Sequence, residues 1–259
     1  MAAEGARVVV VDLRLPELEE TVAMIREARG TADGCQANVA QAAEVARMVA
    51  FAVELHGALD VAVNNAGIEG TPFVPLAEYS ESTFDEVIAT NLRGVFLCMK
   101  YELPHLLATR GAIVNMASVA GLSGGKLAGA GYYASKHGVV GLTRAAAVEY
   151  ADKGVRINAV APGVIRTPMA DRAFMHNGSI VAQLTSRHPM GRLGTPDEVA
   201  RAVVWLCSSA ASFTRGTCYQ WTAACSCHDQ LMPNPSLERR PPHGRLPSAP
   251  GASARTLGP

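Results

Sequence analysis

Short runs of β-branched residues, alternating with helix-like segments, constrain the fold of this chain most. The first run, Arg7–Asp12, reads Arg-Val-Val-Val-Val-Asp, so apolar side chains would point to both faces of a strand. The segment Glu17–Arg29 follows, with Leu18, Val22 and Ile25 on one helical face. Strands that are apolar on both faces are typical of a parallel sheet covered by helices on both sides.

The same alternation continues along the chain. It predicts strands at Cys35–Val39, Leu59–Asn64, Gly111–Ala117 and Arg156–Ala161, and helices at Ala42–His56, Thr83–Met99, Tyr132–Ala151 and from Thr195 to about Cys207. Capping patterns predict that two of these helices begin at Thr83 and Thr195. Because connections between parallel strands are almost always right-handed, the predicted fold is an α/β, doubly wound parallel sheet.

Composition excludes several classes of protein. Lys and Arg together number 23, as do Asp and Glu, so the chain lacks the basic excess of a nucleic-acid binder. No apolar run approaches the roughly 18 residues that span a bilayer, and the first residues do not resemble a signal peptide. Cys35, Cys98 and Cys207 lie in apolar stretches, as buried thiols do. We therefore expect a cytoplasmic protein without nucleic-acid or membrane partners.

Composition changes near Phe213 and divides the chain in two. Residues 233–259 hold 7 of the 15 prolines, together with 3 glycines, which predicts a disordered segment. The domains expected are thus a folded body over 1–213 and an atypical tail over 214–259. The metal-ligating residue types in that tail lack a paired Cys-x-x-Cys spacing, so we expect no metal site among Cys218, Cys225, Cys227 and His228.

Polar and small residues follow the predicted strands, and parallel sheets bind ligands beyond the carboxyl ends of their strands. Asp12 ends the first strand, where a carboxylate can accept hydrogen bonds from a ribose. Asn64-Asn65-Ala66-Gly67 follows a later strand; small residues allow a ligand to approach the backbone, and an Asn amide can link neighbouring strands. A solvated turn explains either pattern equally well.

A tyrosine and a lysine four residues apart form a second candidate site. Tyr132 and Lys136 share one helix face, and a nearby cation would lower the pKa of the phenol from about 10. Such a phenol can exchange a proton with an alcohol or a carbonyl group. Ser118 follows a strand nearby in the predicted order. A surface Tyr–Lys pair and a structural serine are the alternatives.

The last predicted strand of the alternation ends in Pro162-Gly163, which turns the backbone at the same edge. Thr167, four residues further on, carries a hydroxyl that could hold a carboxamide. An ordinary turn is again the alternative.

Together these motifs resemble the short-chain dehydrogenase/reductase family over roughly residues 2–213. The matching motifs are Asn64-Asn65-Ala66-Gly67, Asn91 in Asn-Leu-Arg-Gly, Ser118 in Ile-Val-Asn-Met-Ala-Ser, Tyr132-x-x-x-Lys136, and Pro162-Gly163 with Thr167. The resemblance implies a Rossmann-like sheet and an NAD-dependent oxidoreductase that interconverts a small secondary alcohol and a ketone.

The resemblance also implies a role for each catalytic residue. Tyr132 would be the general acid and base, and Lys136 would lower its pKa and hold the nicotinamide ribose. Ser118 would donate a hydrogen bond to the reacting oxygen. Asn91 would hold a water in a proton relay from Lys136 to solvent.

The cofactor-binding residues implied by the resemblance are Asp12, Asn38, Val39, Asn64, Ala66, Gly67, Tyr132, Lys136, Pro162, Gly163, Ile165 and Thr167. Asp12 matches the acid that selects NAD over NADP, because it would repel a 2′-phosphate. A variable segment that covers the substrate matches 169–190, and its expected apolar lining is Met169, Phe174, Met175 and Leu184.

Two features depart from the family pattern. The sequence contains neither the family's first strand nor its Thr-Gly-x-x-x-Gly-x-Gly turn, which cradles the pyrophosphate, and it ends atypically. We therefore expect unpaired strands in the middle of the sheet. The alternative functions are an impaired relative without effective cofactor binding, or a non-enzymatic partner of an intact subunit. The helices Thr83–Met99 and Tyr132–Ala151 match the family's subunit interface and imply a homodimer or tetramer.

Overall fold

A computed structural model describes residues 1–222 with the exception of Arg187, and strands and helices alternate through them. The strands are β1 (Arg7–Asp12), β2 (Thr31–Gln36), β3 (Val61–Asn64), β4 (Ala112–Met116), β5 (Arg156–Pro162) and β6 (Cys218–Trp221). The α-helices are α1 (Leu15–Glu27), α2 (Ala42–His56), α3 (Glu81–Ile88), α4 (Gly94–Thr109), α5 (Gly129–Tyr150), α6 (Pro168–Ala170), α7 (Gly178–Ser186) and α8 (Pro196–Cys207). The predicted alternation is confirmed, but two predicted bounds are wrong. The strand predicted at Cys35–Val39 is β2, which begins at Thr31 and ends at Gln36, and the single helix predicted at Thr83–Met99 is divided into α3 and α4 by a π-helical turn.

All paired strands are parallel, and helices cover both faces of the larger sheet. That sheet has the order β3-β4-β5-β6, with Ile113 opposite Ile157 across β4 and β5. Ile113 packs with residues of α4 and α5, whereas its neighbour Val114 packs with Val199 and other residues of α8. Successive side chains of a strand point to opposite faces, so this division shows the two-sided cover that the apolar runs predict.

The sheet is split among the described residues. β1 pairs only with β2, and β3 pairs only with β4, so each has one open edge. β1 is also less buried than β4, and Val63 of β3 is 38% exposed. β2 and β6, the other terminal strands of the two sheets, also have one open edge each, and an open strand edge exposes backbone N–H and C=O groups.

Two predicted helix starts had different outcomes. Thr195 caps α8 as predicted, with reciprocal hydrogen bonds between Thr195 and Glu198. The start predicted at Thr83 is wrong, because the N-cap is Ser80, whose hydroxyl accepts a hydrogen bond from the backbone N–H of Thr83. Serine is at least as good a cap as threonine, and it allows one further half-turn of helix to form.

Part of the segment predicted to be a tail lies in the sheet. β6 lies beyond residue 213 and pairs with β5, with Cys218 opposite Ala159. Tyr219 packs edge-to-face against Trp205 of α8, their ring centroids 5.4 Å apart. The remainder, 223–259, including Cys225, Cys227 and His228, lies outside the described residues.

No α-helix among the described residues, 1–222 without Arg187, is long and apolar enough to cross a membrane. In the same portion, no group of three or more His, Cys, Asp and Glu residues could hold a metal ion.

Candidate active site

The tyrosine, lysine and serine singled out in the sequence lie together at the carboxyl end of β4. Ser118 follows β4 and caps a short 3-10 turn, its hydroxyl accepting a hydrogen bond from Ala120. Tyr132 and Lys136 lie on the first turns of α5, with the Lys136 Nζ 5.6 Å from the centre of the Tyr132 ring. The Ser118 side chain lies beside the Tyr132 phenol and lowers its pKa. The structure therefore brings a phenol, a hydroxyl and an ammonium group to one strand end.

The pKa of Tyr132 does not follow the sequence-based expectation. Burial raises the pKa of the phenol above its ordinary value, the nearby Ser118 hydroxyl opposes this, and the Glu69 carboxylate raises the pKa further. Lys136 was expected to lower this pKa. It does not in this structure, because its ammonium group faces the backbone and is itself destabilised by burial.

Lys136 is a buried cation. Its side chain is 5% exposed, and Nζ donates a 2.7 Å hydrogen bond to the carbonyl oxygen of Met116, the last residue of β4. Burial lowers the pKa of Lys136 to about 8. A buried ammonium group is tolerated only when its N–H groups donate hydrogen bonds. The Lys136 ammonium has three such N–H groups.

Asn91 lies in a π-helical turn, Ala89–Arg93, between α3 and α4. Its amide is completely buried and pairs with the backbone of Ile68, accepting from the N–H at 2.8 Å and donating to the carbonyl at 2.9 Å. Its Nδ2 also donates to Ser135, whose hydroxyl donates to the carbonyl of Tyr132. Asn91 thus fixes both the loop after β3 and the start of α5. π-helical turns are frequent at functional sites.

Gly67 lies where the loop after β3 approaches the Asn91 amide and the Lys136 ammonium. A Cβ at this position would lie 3.3 Å from Oδ1 of Asn91 and 3.8 Å from Nζ of Lys136. Glycine therefore lets the backbone after β3 approach both side chains, as its small size predicts.

Asn64 links two strands, as the sequence predicts. Its Nδ2 donates to Oδ1 of Asn115 on β4 at 3.0 Å, and to Oε2 of Glu102 on α4 at 3.2 Å. Asn115 in turn donates to Thr143 of α5. All of these side chains are buried, and burial raises the pKa of Glu102 to about 7, although the bond from Asn64 opposes the shift. The network therefore contains a carboxyl group that is easily protonated.

Replacing Glu102 by Gln should remove a pH-dependent loss of stability. The folded pKa lies near 7 and the ordinary value is 4.5, so the folded state holds a proton that the unfolded chain releases. The free energy of unfolding of the wild type should fall by up to about 3 kcal/mol as the pH rises from 4.5 to 7, and then level off. Glu102→Gln, which keeps an oxygen for Asn64, should lack this fall. Urea unfolding at a series of pH values measures it.

The matched control is Glu86→Gln, which changes an exposed carboxylate on α3. It should keep the wild-type dependence on pH. Equal slopes for the wild type and Glu102→Gln between pH 4.5 and 7 would contradict the assignment of the buried proton to Glu102.

The residues expected at the adenosine end lie on the smaller sheet. Asp12 ends β1 and is half-buried, and its carboxylate accepts a hydrogen bond from the backbone of Arg14 at 2.9 Å. Asn38 follows β2, its backbone N–H donating to Glu44 at the start of α2. Val39 packs against Gly94. A Cβ added to Gly94 would lie 2.9 Å from the Cγ2 methyl group of Val39. Ala66 lies in the loop after β3 of the larger sheet, and it is exposed.

The residues expected near the nicotinamide follow β5. Pro162 is the last residue of that strand, and Gly163 begins the next loop. Ile165 forms a single parallel bridge with Gly194, which attaches the loop to the segment before α8. Thr167 caps α6, its hydroxyl accepting from Ala170 at 3.2 Å. That hydroxyl still has its own hydrogen to donate.

The segment 168–190 contains a small core of its own. Phe174 and Leu184, expected to line a substrate pocket, are instead buried with Ala170 and Leu193. Apolar packing within the segment removes them from water more completely than an open pocket would. Met169 is half-buried, and the side chain of Met175 lies outside the described part.

A bidentate ion pair joins the segment 168–190 to the loop after β3. Arg172 approaches Glu69 with Nε–Oε1 and Nη2–Oε2 distances of 2.9 and 3.4 Å. Since Glu69 also raises the pKa of Tyr132, the pair lies close to the phenol. Sequence reasoning missed this pair because its members are 103 residues apart.

Glu102 and Asn115 were also missed, although the sequence holds a signal for them. Each is a polar residue inside an apolar run, Asn115 on β4 and Glu102 on α4, and a buried polar side chain needs a partner. His188, which is 3% exposed, has no comparable signal in the sequence.

A family model described as enoyl-(acyl carrier protein) reductase matches residues 1–221 of the chain. With the Tyr132–Lys136 pair and the parallel sheet, that match decides the family. The chain belongs to the short-chain dehydrogenase/reductase family.

Named relatives of this short-chain dehydrogenase/reductase are oxidoreductases. Cyclohexanol dehydrogenase of Acinetobacter sp. is 46% identical over 220 residues, which are 85% of this chain and 84% of that protein. The 2,5-dichloro-2,5-cyclohexadiene-1,4-diol dehydrogenase of Sphingobium indicum is 42% identical, over 84% of this chain and 86% of that protein. A solved structure of actinorhodin polyketide ketoreductase with NADPH is 36% identical, with a TM-score of 0.81 over 86% of this chain and 89% of that chain. The chain is an oxidoreductase of this family.

Proposed function

We propose that this protein interconverts a secondary alcohol and a ketone with NAD(H). The observation that carries the proposal is the grouping of the Tyr132 phenol with the Ser118 hydroxyl and the Lys136 ammonium, whose Nζ lies 5.6 Å from the centre of the phenol ring. A phenol that can gain and lose a proton, beside a hydroxyl donor, suits proton transfer to a carbonyl oxygen.

Each side chain then has one task. Tyr132 takes the proton from the alcohol, or returns it to the ketone oxygen. Ser118 donates a hydrogen bond to the same oxygen and favours the charge that develops there. Lys136 holds the nicotinamide ribose through its remaining N–H donors, and Asn91 links the start of α5 to the loop after β3 through Ser135 and Ile68.

Several residues suit the cofactor. Lys136 donates one hydrogen bond to Met116, and its remaining N–H donors suit ribose hydroxyls. Gly67 leaves space beside it, and the Asp12 carboxylate at the end of β1 suits the adenosine ribose. A bound nicotinamide supplies the chemistry of accepting and donating hydride. The Asp12 carboxylate favours NAD over NADP, because it repels a 2′-phosphate.

The names of two relatives suggest which substrates to test first. They are dehydrogenases of cyclohexanol and of a dichlorinated cyclohexadiene diol. We therefore propose a secondary alcohol on a six-membered carbon ring as the substrate class. A cytoplasmic location, and assembly as a homodimer or tetramer, stay predictions from the sequence.

A second candidate is an impaired family member without effective cofactor binding, or a partner of an intact subunit. The open edges of β1 and β3 favour this candidate, because the strand ends expected to hold the two ends of the cofactor lie on separate sheets. Binding of NADH to the purified chain separates the two candidates.

NADH titration should show micromolar binding that depends on Asp12. Nicotinamide fluorescence measures the dissociation constants of NADH and NADPH for the wild type and for Asp12→Ala. The wild type should prefer NADH, and loss of the carboxylate should reduce that preference at least about tenfold, the equivalent of 1.4 kcal/mol.

The control Asp60→Asn removes an exposed carboxylate just before β3, at the opposite end of the strands, and should leave the preference unchanged. A folded wild type that binds neither nucleotide would favour the second candidate. Binding with an unchanged preference in Asp12→Ala would contradict the role of Asp12 alone.

A further inference from the structure

The ion pair between Glu69 and Arg172 takes part in none of the proposed catalytic steps. The Arg172 guanidinium donates to both carboxylate oxygens of Glu69, at 2.9 and 3.4 Å. Glu69 lies in the loop after β3, and Arg172 lies in a π-helical turn, Asp171–Met175, between α6 and α7. The pair therefore joins a loop that follows one strand to a segment that follows another, which we call the α6–α7 segment (Pro168–Ser186).

The order of the strands places this ion pair across the carboxyl end of β4. β3, β4 and β5 are neighbours in that order and are all parallel, so their carboxyl ends lie at one edge with β4 in the middle. A contact between the loop after β3 and the segment after β5 spans the end of β4. Ser118 and Tyr132 lie at that end, and the Glu69 carboxylate acts on the Tyr132 phenol.

Both partners of the ion pair lie on anchored backbone. Ile68, the residue before Glu69, has its N–H and its carbonyl oxygen bonded to the buried Asn91 amide. The turn that carries Arg172 also carries Phe174, which is buried in the small core described above. An ion pair between two anchored segments fixes the distance between them.

The ion pair itself lies at the surface of the protein. The side chain of Arg172 is 53% exposed and that of Glu69 is 23% exposed. Ion pairs between exposed groups contribute little to global stability. Breaking this pair should therefore release the α6–α7 segment locally and leave the fold intact.

We propose that Glu69 and Arg172 are positioning residues, whose ion pair holds the α6–α7 segment over the end of β4 while the alcohol is bound beside Tyr132. The inference rests on the proposed function and extends it with two residues outside the catalytic group. Neither side chain transfers a proton or hydride. Because the pair acts on the position of the segment, its loss should affect KM more than kcat.

Three substitutions test the ion pair. Arg172→Met and Glu69→Gln each remove one charge, and each should raise KM for cyclohexanol about three- to fivefold, with kcat and the dissociation constant of NADH within about twofold of the wild type. Arg172→Lys keeps the charge without the two-point geometry, so it should recover part of the loss. Melting temperatures of the variants report any general loss of structure.

A second readout tests whether Glu69 lies at the active site. Its carboxylate raises the pKa of the catalytic phenol, so Glu69→Gln should move the pH midpoint of kcat/KM for alcohol oxidation to a lower value. The other groups that surround the phenol are Ser118, Tyr133 and Lys136, and they are the same in this variant. A role in structure alone would leave the midpoint unchanged.

The matched control breaks a similar ion pair elsewhere on the surface. Arg192 binds both carboxylate oxygens of Glu198 at the start of α8, at 2.7 and 3.0 Å. Arg192→Met should keep the wild-type KM. An equal rise of KM in Arg192→Met and Arg172→Met would contradict the inference, because the rise would then follow the loss of any surface pair.

The inference and the proposed function can fail separately. A wild type that binds NADH and oxidises cyclohexanol, with KM unchanged in folded Arg172→Met and Glu69→Gln, would overturn the inference alone. A folded wild type that neither binds NADH nor oxidises cyclohexanol would overturn the proposed function and the inference with it.

Discussion

Tyr132→Phe should reduce kcat for alcohol oxidation by about 10³-fold and leave the dissociation constant of NADH within about twofold of the wild type. The substitution removes only the phenolic oxygen, which lies beside the Ser118 hydroxyl and which we propose as the proton acceptor. General acid–base groups contribute roughly 10²- to 10⁴-fold to rate, so this oxygen should have the largest single effect on turnover. Initial rates with cyclohexanol, together with NADH titration, measure both quantities.

The adjacent tyrosine is the matched control. Tyr133 is half-buried on the same helix turn, and burial raises the pKa of its phenol as well. Tyr133→Phe removes the same atom from a neighbouring ring and should keep kcat within a few-fold of the wild type. Equal losses in the two variants would contradict the assignment of the acid–base group to Tyr132.

The sequence predicts the positions of the site residues well because strand ends are local features. Asp12, Asn64 and Ser118 each lie at or just after the carboxyl end of a predicted strand, and the structure has a strand before each of them. Parallel pairing then brings the ends of β3, β4 and β5 to one edge. The cap at Thr195 is equally local, since its reciprocal hydrogen bonds span three residues.

Properties that depend on burial and on distant partners could not be predicted. The spacing of Tyr132 and Lys136 predicts a lowered phenol pKa, but desolvation of both groups outweighs their proximity in this structure. The pairing of Glu69 with Arg172 depends on the fold of two loops far apart in the chain. The family resemblance places Phe174 in the substrate lining, but an apolar side chain suits a small buried core equally well.

Lys136→Met should make the protein more stable at pH 7 while reducing its activity about 100-fold or more. The folded pKa is lowered to about 8 from an ordinary 10.5, so the buried ammonium costs about 3 kcal/mol wherever both states are protonated. Methionine removes that cost and fills a similar volume. It also leaves the carbonyl of Met116 without its donor, which costs about 1–2 kcal/mol. The net expectation is a gain of about 1–2 kcal/mol in the free energy of unfolding.

The dependence on pH tests the cause of that gain. Because the folded pKa of Lys136 is lowered, its penalty is complete below pH 8 and disappears as the pH rises from 8 to 10.5. The advantage of Lys136→Met in urea unfolding should therefore shrink across this interval. Lys100→Met, which replaces an exposed ammonium on α4, should show neither the gain nor its loss at high pH. A Lys136→Met variant that is less stable than the wild type at pH 7 would mean that the hydrogen bond to Met116 outweighs desolvation.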